Sequence, residues 1–241
     1  MKYLKKYELF EKVEIIDDKE GPIIKVNGNI IHSSYGYLRN FKLKKDGSID
    51  VNDSVNLNGD HTNSAGLTKI PLKFNYVTGF FWIDNNNLTS LEGSPQVVGQ
   101  SPEEEDGNYF SCDNNKLTSL KGGPIKVFGN FYCSYNKLTS LEGAPQSIGG
   151  DFHCTYNQLT SLDHLPNVSG EIYIWGNPVY SIIRGWIEQP EKRWEKWEYF
   201  QDLSIIQEDK VILPRLEEFH EVMEIPMPNL NEIKKYYKII E

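Results

Sequence analysis

Apolar and polar residues in the middle of the chain follow one phrase that returns at a fixed interval. In Phe131-Tyr-Cys133-Ser-Tyr-Asn136-Lys-Leu138-Thr-Ser-Leu141 the order is apolar-x-apolar-x-x-Asn-x-apolar-x-x-apolar. The opening alternation has the two-residue period of a strand. It places Phe131 and Cys133 on one face and Tyr132 and Ser134 on the other. The phrase recurs around Leu88, Leu117, Leu138 and Leu159, at intervals of 29, 21 and 21 residues. A worn copy, Leu67-Thr-Lys-Ile70, lies 21 residues before Leu88. The long interval holds an acidic insertion at 100–107, with Glu103, Glu104, Glu105 and Asp106 at its centre.

One such unit cannot bury its apolar face alone, but stacked units share a continuous core. Parallel stacking puts Phe81/Ile83, Phe110/Cys112, Phe131/Cys133, Phe152/Cys154 and Ile172/Ile174 on successive rungs. Asn86, Asn115, Asn136, Asn157 and Asn177 each fall three residues after the second apolar position. Their amides suit backbone groups where the chain turns inward. Gly93-Ser-Pro95, Gly122-Gly-Pro124 and Gly143-Ala-Pro145 favour an irregular return over a helix.

The period divides the chain into three. Residues 1–53, with turn signals at Val26-Asn-Gly-Asn29 and Lys45-Asp-Gly-Ser48, form an N-terminal cap of helix or strand plus β-hairpins. The array covers 54–178, with a first rung at Ser54–Leu57 and a loop insertion from Asn58 to Ala65. Over 179–241 helical spacing starts near Pro190, Pro214 and Asn229, predicting a helical cap in which Trp186, Trp194 and Trp197 pack against the last rung.

Those units resemble leucine-rich repeats, with Phe and Cys or Ile in the strand positions. They are most similar to arrays in bacteriophage and bacterial proteins where G-x-F-x-C-x-x-N-x-L-T-S-L-x-G-x-P recurs. The resemblance covers Val55 to Pro178. The fold it implies is a leucine-rich-repeat solenoid: one parallel sheet on the concave face, a mostly non-helical convex side, a β-rich N-terminal cap and an α-helical C-terminal cap. Such repeats serve mostly as binding scaffolds.

Charge and composition narrow the function. Lys+Arg 25 against Asp+Glu 34 gives −9, which disfavours nucleic acid and anionic membrane as partners. No apolar run approaches the ~18–20 residues of a membrane span, and the charged N-terminus lacks a signal-peptide core. An odd count of 3 cysteines argues for reduced thiols, hence a cytoplasmic protein or, from the phage resemblance, a virion component.

Catalysis finds no support. Cys112, Cys133 and Cys154 form a parallel ladder behind phenylalanines, which suits a core slot better than a metal site or a disulfide. His153 and Cys154 are strand neighbours on opposite faces, so base and thiol cannot meet. His32, His61, His164 and His220 show no metal-ligand spacing. Some secreted leucine-rich effectors carry a ubiquitin ligase with a catalytic cysteine after the repeats, but residues 178–241 contain no cysteine. No catalytic residue, metal or cofactor is therefore assigned.

The outward strand positions remain. A central row reads Trp82, Ser111, Tyr132, His153, Tyr173; beside it run Asp84, Asp113, Ser134, Thr155, Trp175, then Asn85, Asn114, Tyr135, Tyr156. Exposed aromatics of this density point to a partner surface. The alternative is cross-strand stacking that only stabilises the sheet. The candidate contact residues are Trp82, Asp84, Asp113, Tyr132, Tyr135, His153, Tyr156, Tyr173 and Trp175. The acidic insertion would add a contact for a basic partner or mimic a polyanion. The expected function is a non-catalytic module binding a host or viral protein, in one version as an inhibitor of a host enzyme or defence system. A structural virion component and a carbohydrate-binding module are the rivals.

Overall fold

A computed structural model describes residues 13–26, 29–33, 36–38, 40–58, 66–100, 108–187 and 193–241. Each unit contributes a first short strand, and these strands pair in parallel: Val55–Asn56, Phe81–Trp82, Tyr109–Ser111, Asn130–Tyr132, Phe152–His153 and Ile172–Tyr173. The register matches Phe81, Phe110, Phe131, Phe152 and Ile172 across neighbours. At its N-terminal edge this front sheet gains an antiparallel pair, His32–Ser33 and Gly36–Tyr37.

The predicted single-sheet leucine-rich solenoid needs correction. The segments read as irregular returns form a second, mixed sheet of seven strands. Phe74–Val77, Val97–Val98, Lys126–Val127, Ser147–Ile148 and Asn167–Val168 pair in parallel, and Phe41–Leu43 and Ile49–Val51 extend the sheet with an antiparallel hairpin. The proline of each return forbids helix there, but two extended residues follow it, one position later after Pro95, Pro124 and Pro145 and directly after Pro166. The second of them (Val98, Val127, Ile148, Val168) is buried. With several sheets and few helices, the protein is α/β rather than a one-sheet solenoid.

The C-terminal cap is likewise mixed rather than helical. Helices Tyr180–Ile183, Arg193–Asp202, Leu213–Val222 and Leu230–Ile233 accompany a three-stranded sheet of Ile206–Gln207, Lys210–Ile212 and Lys238–Ile240. The β-branched pair Ile239-Ile240 at the end of the chain lies in a strand that pairs parallel with Lys210–Ile212. Trp186 is fully buried against Phe200 and Phe219, Trp197 stacks on Phe200, and Trp194 stays exposed. The Tyr237 hydroxyl donates to the Thr160 carbonyl at 2.7 Å, tying the tail to the repeats. Among the described residues no helix is long and apolar enough to cross a membrane.

Both sheets share one core. Phe81, Phe110 and Phe131 form a face-to-face column with centroids 5.5 and 5.2 Å apart. Cys112, Cys133 and Cys154 are free and buried alongside, and burial pushes the thiols of Cys112 and Cys133 well up. The asparagines clamp rung to rung. Asn136 Nδ2 donates to the carbonyls of Cys112, Cys133 and Ser134 at 3.0–3.3 Å, while its Oδ1 accepts from Leu117 N at 3.0 Å. Asn115 and Asn157 repeat the arrangement. Buried backbone groups that no ladder reaches are thereby satisfied.

Candidate functional site

The front sheet turns its other face outward: the rows of Trp82 and Asp84 follow the alternation, with Ser111, Ser134 and Thr155 buried among their neighbours, while Asn85, Asn114, Tyr135 and Tyr156 come after them at a left-handed corner. A fourth row, one residue before Phe81, Phe110, Phe131, Phe152 and Ile172, was missed: Phe80, Tyr109, Asn130, Asp151 and Glu171. Its residue types change from unit to unit, so only the structural register shows it as a row.

Fixing this face is a set of side chains that replace absent backbone partners. Asp113 N donates to Asp84 Oδ1 at 2.8 Å, Ser134 N to Asp113 Oδ1 at 2.6 Å and Thr155 N to Ser134 Oγ at 3.1 Å. In the missed row Asp151 N donates to Asn130 Oδ1 at 2.7 Å and Glu171 N to Asp151 Oδ1 at 2.8 Å. Short oxygen-bearing residues are needed at these positions because they accept the N–H of the next rung.

Upon this scaffold the aromatics form two stacks. Tyr132, His153 and Tyr173 are parallel, with centroids 4.6 and 4.4 Å apart, so both faces of the His153 ring are covered. Burial lowers the His153 pKa, opposed by Asp151, whose carboxylate lies 4.0 Å away. The second stack joins Tyr135 to Tyr156 at 4.8 Å, with Trp175 edge-on to Tyr156 at 4.6 Å. Here lies the departure from local rule. Asn85, Asn114, Tyr135, Tyr156 and Gly176 all occupy the left-handed region, with φ from 50° to 80°. Asn and Gly tolerate it, whereas a bulky residue there costs about 1–2 kcal/mol. Yet Tyr135 and Tyr156 are 54% and 46% exposed, among the most exposed large side chains of the protein.

The Tyr135–Tyr156 stack ends at the rung Ser111–Asp113–Asn114, where these three side chains are short, while the first column continues edge-on to Tyr109. Beyond it stand Trp82 and Asp84, so the predicted contact residues share one face but are split by this notch. Trp82 Nε1 and Ser111 Oγ donate to Asp84 at 2.6 Å each. Desolvation first, and Asp84 second, push the Asp113 carboxyl up to about 7, against the lowering effect of the Ser134 N–H. Burial, with Asp84 and Tyr132 nearby, pushes the Tyr109 hydroxyl up to about 12. Phe80 stacks on Tyr109 at 4.8 Å, and Tyr109 meets Tyr132 edge-on at 6.0 Å. Glu103, Glu104, Glu105 and Asp106 lie outside the described residues, as do His61 and most of the insertion after Asn58.

Sugar stacking would need open ring faces. Within the Tyr132–His153–Tyr173 column those faces are occupied by neighbouring rings, and Tyr109 meets Tyr132 edge-on at one end. The surface therefore offers ring edges and hydroxyls rather than a flat platform. Comparison of the chain with protein-family models, with curated proteins and with solved structures gives no match, so the site is read from its own geometry.

Proposed function

We propose that this protein is a non-catalytic module that binds another protein through the outer face of its front sheet. What carries the reading is the placement of Tyr135 and Tyr156, exposed rings held at a left-handed corner where the neighbouring rungs use Asn and Gly. Stacking of the pair and the edge-on contact of Tyr156 with Trp175 return ~0.5–1.5 kcal/mol each. Two tyrosines in that conformation cost about 1–2 kcal/mol each. Stability alone gives no reason to keep them, whereas exposed, rigid tyrosines are favoured at contact hot spots. Tyr132, Tyr173 and Trp175 complete the surface, and its short hydrogen-bonded scaffold leaves little ordering entropy to lose on binding.

The similarity of the units to those of bacteriophage proteins makes a bacterial lysate the place to look for the partner. Wild-type protein and a Tyr135→Asn/Tyr156→Asn variant, each tagged, would be used for capture and quantitative mass spectrometry. Asn is the residue that the corner already accepts at 85 and 114, so the variant keeps its fold, checked by circular dichroism. A partner recovered with wild type and depleted about tenfold or more by the variant supports the reading. Equal recovery with both proteins would refute it.

A further inference from the structure

The four outward rows of the front sheet carry eight aromatic residues and four carboxylates (Asp84, Asp113, Asp151 and Glu171) but no Lys or Arg. Yet the chain has 25 Lys and Arg. The nearest in sequence, Lys116 and Lys137, come only after the clamping asparagines. Arg193 reaches the margin at Glu171 Oε2, at 4.0 Å, but its side chain is buried and donates to the Gly170 carbonyl. A sheet face cleared of cations in this way is complementary to a basic surface.

Within that face one place is built for a cation. The notch at Ser111, Asp113 and Asn114 is where the second stack ends, with Tyr135 as its last ring, while the first column runs on edge-on from Tyr132 to Tyr109. A ring face is the negative side of the aromatic quadrupole. Asp84 and Asp113 lie beside it, joined through the Asp113 N–H to Asp84 Oδ1 bond. Resting on the protein-binding reading above, we infer that the partner is a basic protein, and that it seats an arginine or lysine side chain in this notch, over the Asp84 and Asp113 carboxylates and against Tyr135. Burial first, and after it repulsion between the two carboxylates, raises the Asp113 carboxyl. An incoming cation replaces that repulsion with attraction.

Hexa-arginine serves as the probe, measured by calorimetry at pH 8 and 0.15 M salt, with hexa-glutamate and maltohexaose as the other arms. Three variants accompany wild type. Asp113→Asn keeps the oxygen that accepts the Ser134 N–H, Tyr135→Asn keeps the corner, and Glu217→Gln removes an equal charge from an exposed helical site far along the chain. Hexa-arginine is expected to bind wild type, to bind Asp113→Asn and Tyr135→Asn about tenfold more weakly, and to bind Glu217→Gln within about twofold. Absence of hexa-arginine binding, an equal loss in Glu217→Gln, or preference for hexa-glutamate or maltohexaose overturns the inference. The two proposals fail separately. If lysate capture depends on Tyr135 and Tyr156 while hexa-arginine does not bind, the basic-partner inference falls and protein binding stands. If capture is indifferent to the tyrosines, protein binding itself falls.

Discussion

The corner that follows each front strand is built with one backbone and two kinds of side chain. At Asn85 and Asn114 the residue matches the left-handed φ of 56° and 53°, and Asn114 Nδ2 donates to Asn85 Oδ1 at 2.6 Å, closing a local amide ladder. At Tyr135 and Tyr156 the same φ, 55° and 50°, is imposed on rings that stack in solvent. In the first pair of rungs, side chain and backbone agree. In the second pair they conflict, and the conflict falls beside the column Tyr132–His153–Tyr173 and not elsewhere on the sheet. Strain of this kind persists where the surrounding structure over-determines it and where a surface is used for something other than folding.

Interior changes should break both halves of the comparison alike. Phe131→Ala removes the ring between Phe110 and Phe152 and is expected to cost ~3–5 kcal/mol, read by chemical denaturation. A loss under about 1 kcal/mol would mean the column is not continuous. Asn136→Leu leaves the Leu117 N–H and three carbonyls without their clamp. The expected loss is roughly 1–3 kcal/mol, with amide exchange fastest in the rungs on either side of Asn136.

Asp113→Asn sharpens the comparison from the acidic side. A carboxyl raised to about 7 from 3.8 makes the native state hold its proton more tightly than the unfolded chain. Its contribution to stability is fully present below pH 3.8, is lost as pH rises towards about 7, and stays lost above that. The Asn variant does not titrate. Its melting temperature should therefore gain on wild type between pH 5 and pH 8, by at least a few degrees, roughly 2–4 °C for each kcal/mol in a chain of this size. Parallel pH curves for the two proteins would show that Asp113 titrates normally.

How much of this was legible in the sequence depends on how constant each position is. The inward Phe and Cys columns and the clamping asparagines repeat nearly unchanged, so the period alone reveals their partners. The second sheet was hidden because its strands share almost no residue types: Val97–Val98, Lys126–Val127, Ser147–Ile148 and Asn167–Val168 have in common only one buried aliphatic after a proline. That single position cannot show an alternation. The row Phe80, Tyr109, Asn130, Asp151, Glu171 was hidden for the same reason, although its outward neighbours were read correctly two residues later. The left-handed corner was also invisible. Asn at 85 and 114 and Gly at 176 hint at it, but Tyr135 and Tyr156 in the intervening rungs mask the hint. The feature that best marks the surface is thus the one that local sequence rules exclude.

The smallest expected effect is the most telling. Tyr135→Asn/Tyr156→Asn exchanges the conflicting half of the corner for the agreeing half, and thermal melting of the variant against wild type tests whether the tyrosines belong to folding or to binding. Relief of two left-handed tyrosines against the loss of the Tyr135–Tyr156 stack and the Tyr156–Trp175 contact should leave the melting temperature unchanged or raise it by a few degrees. A fall of more than about 4 °C, a loss of more than about 1 kcal/mol, would contradict the account and make the exposed stack a structural device of the sheet.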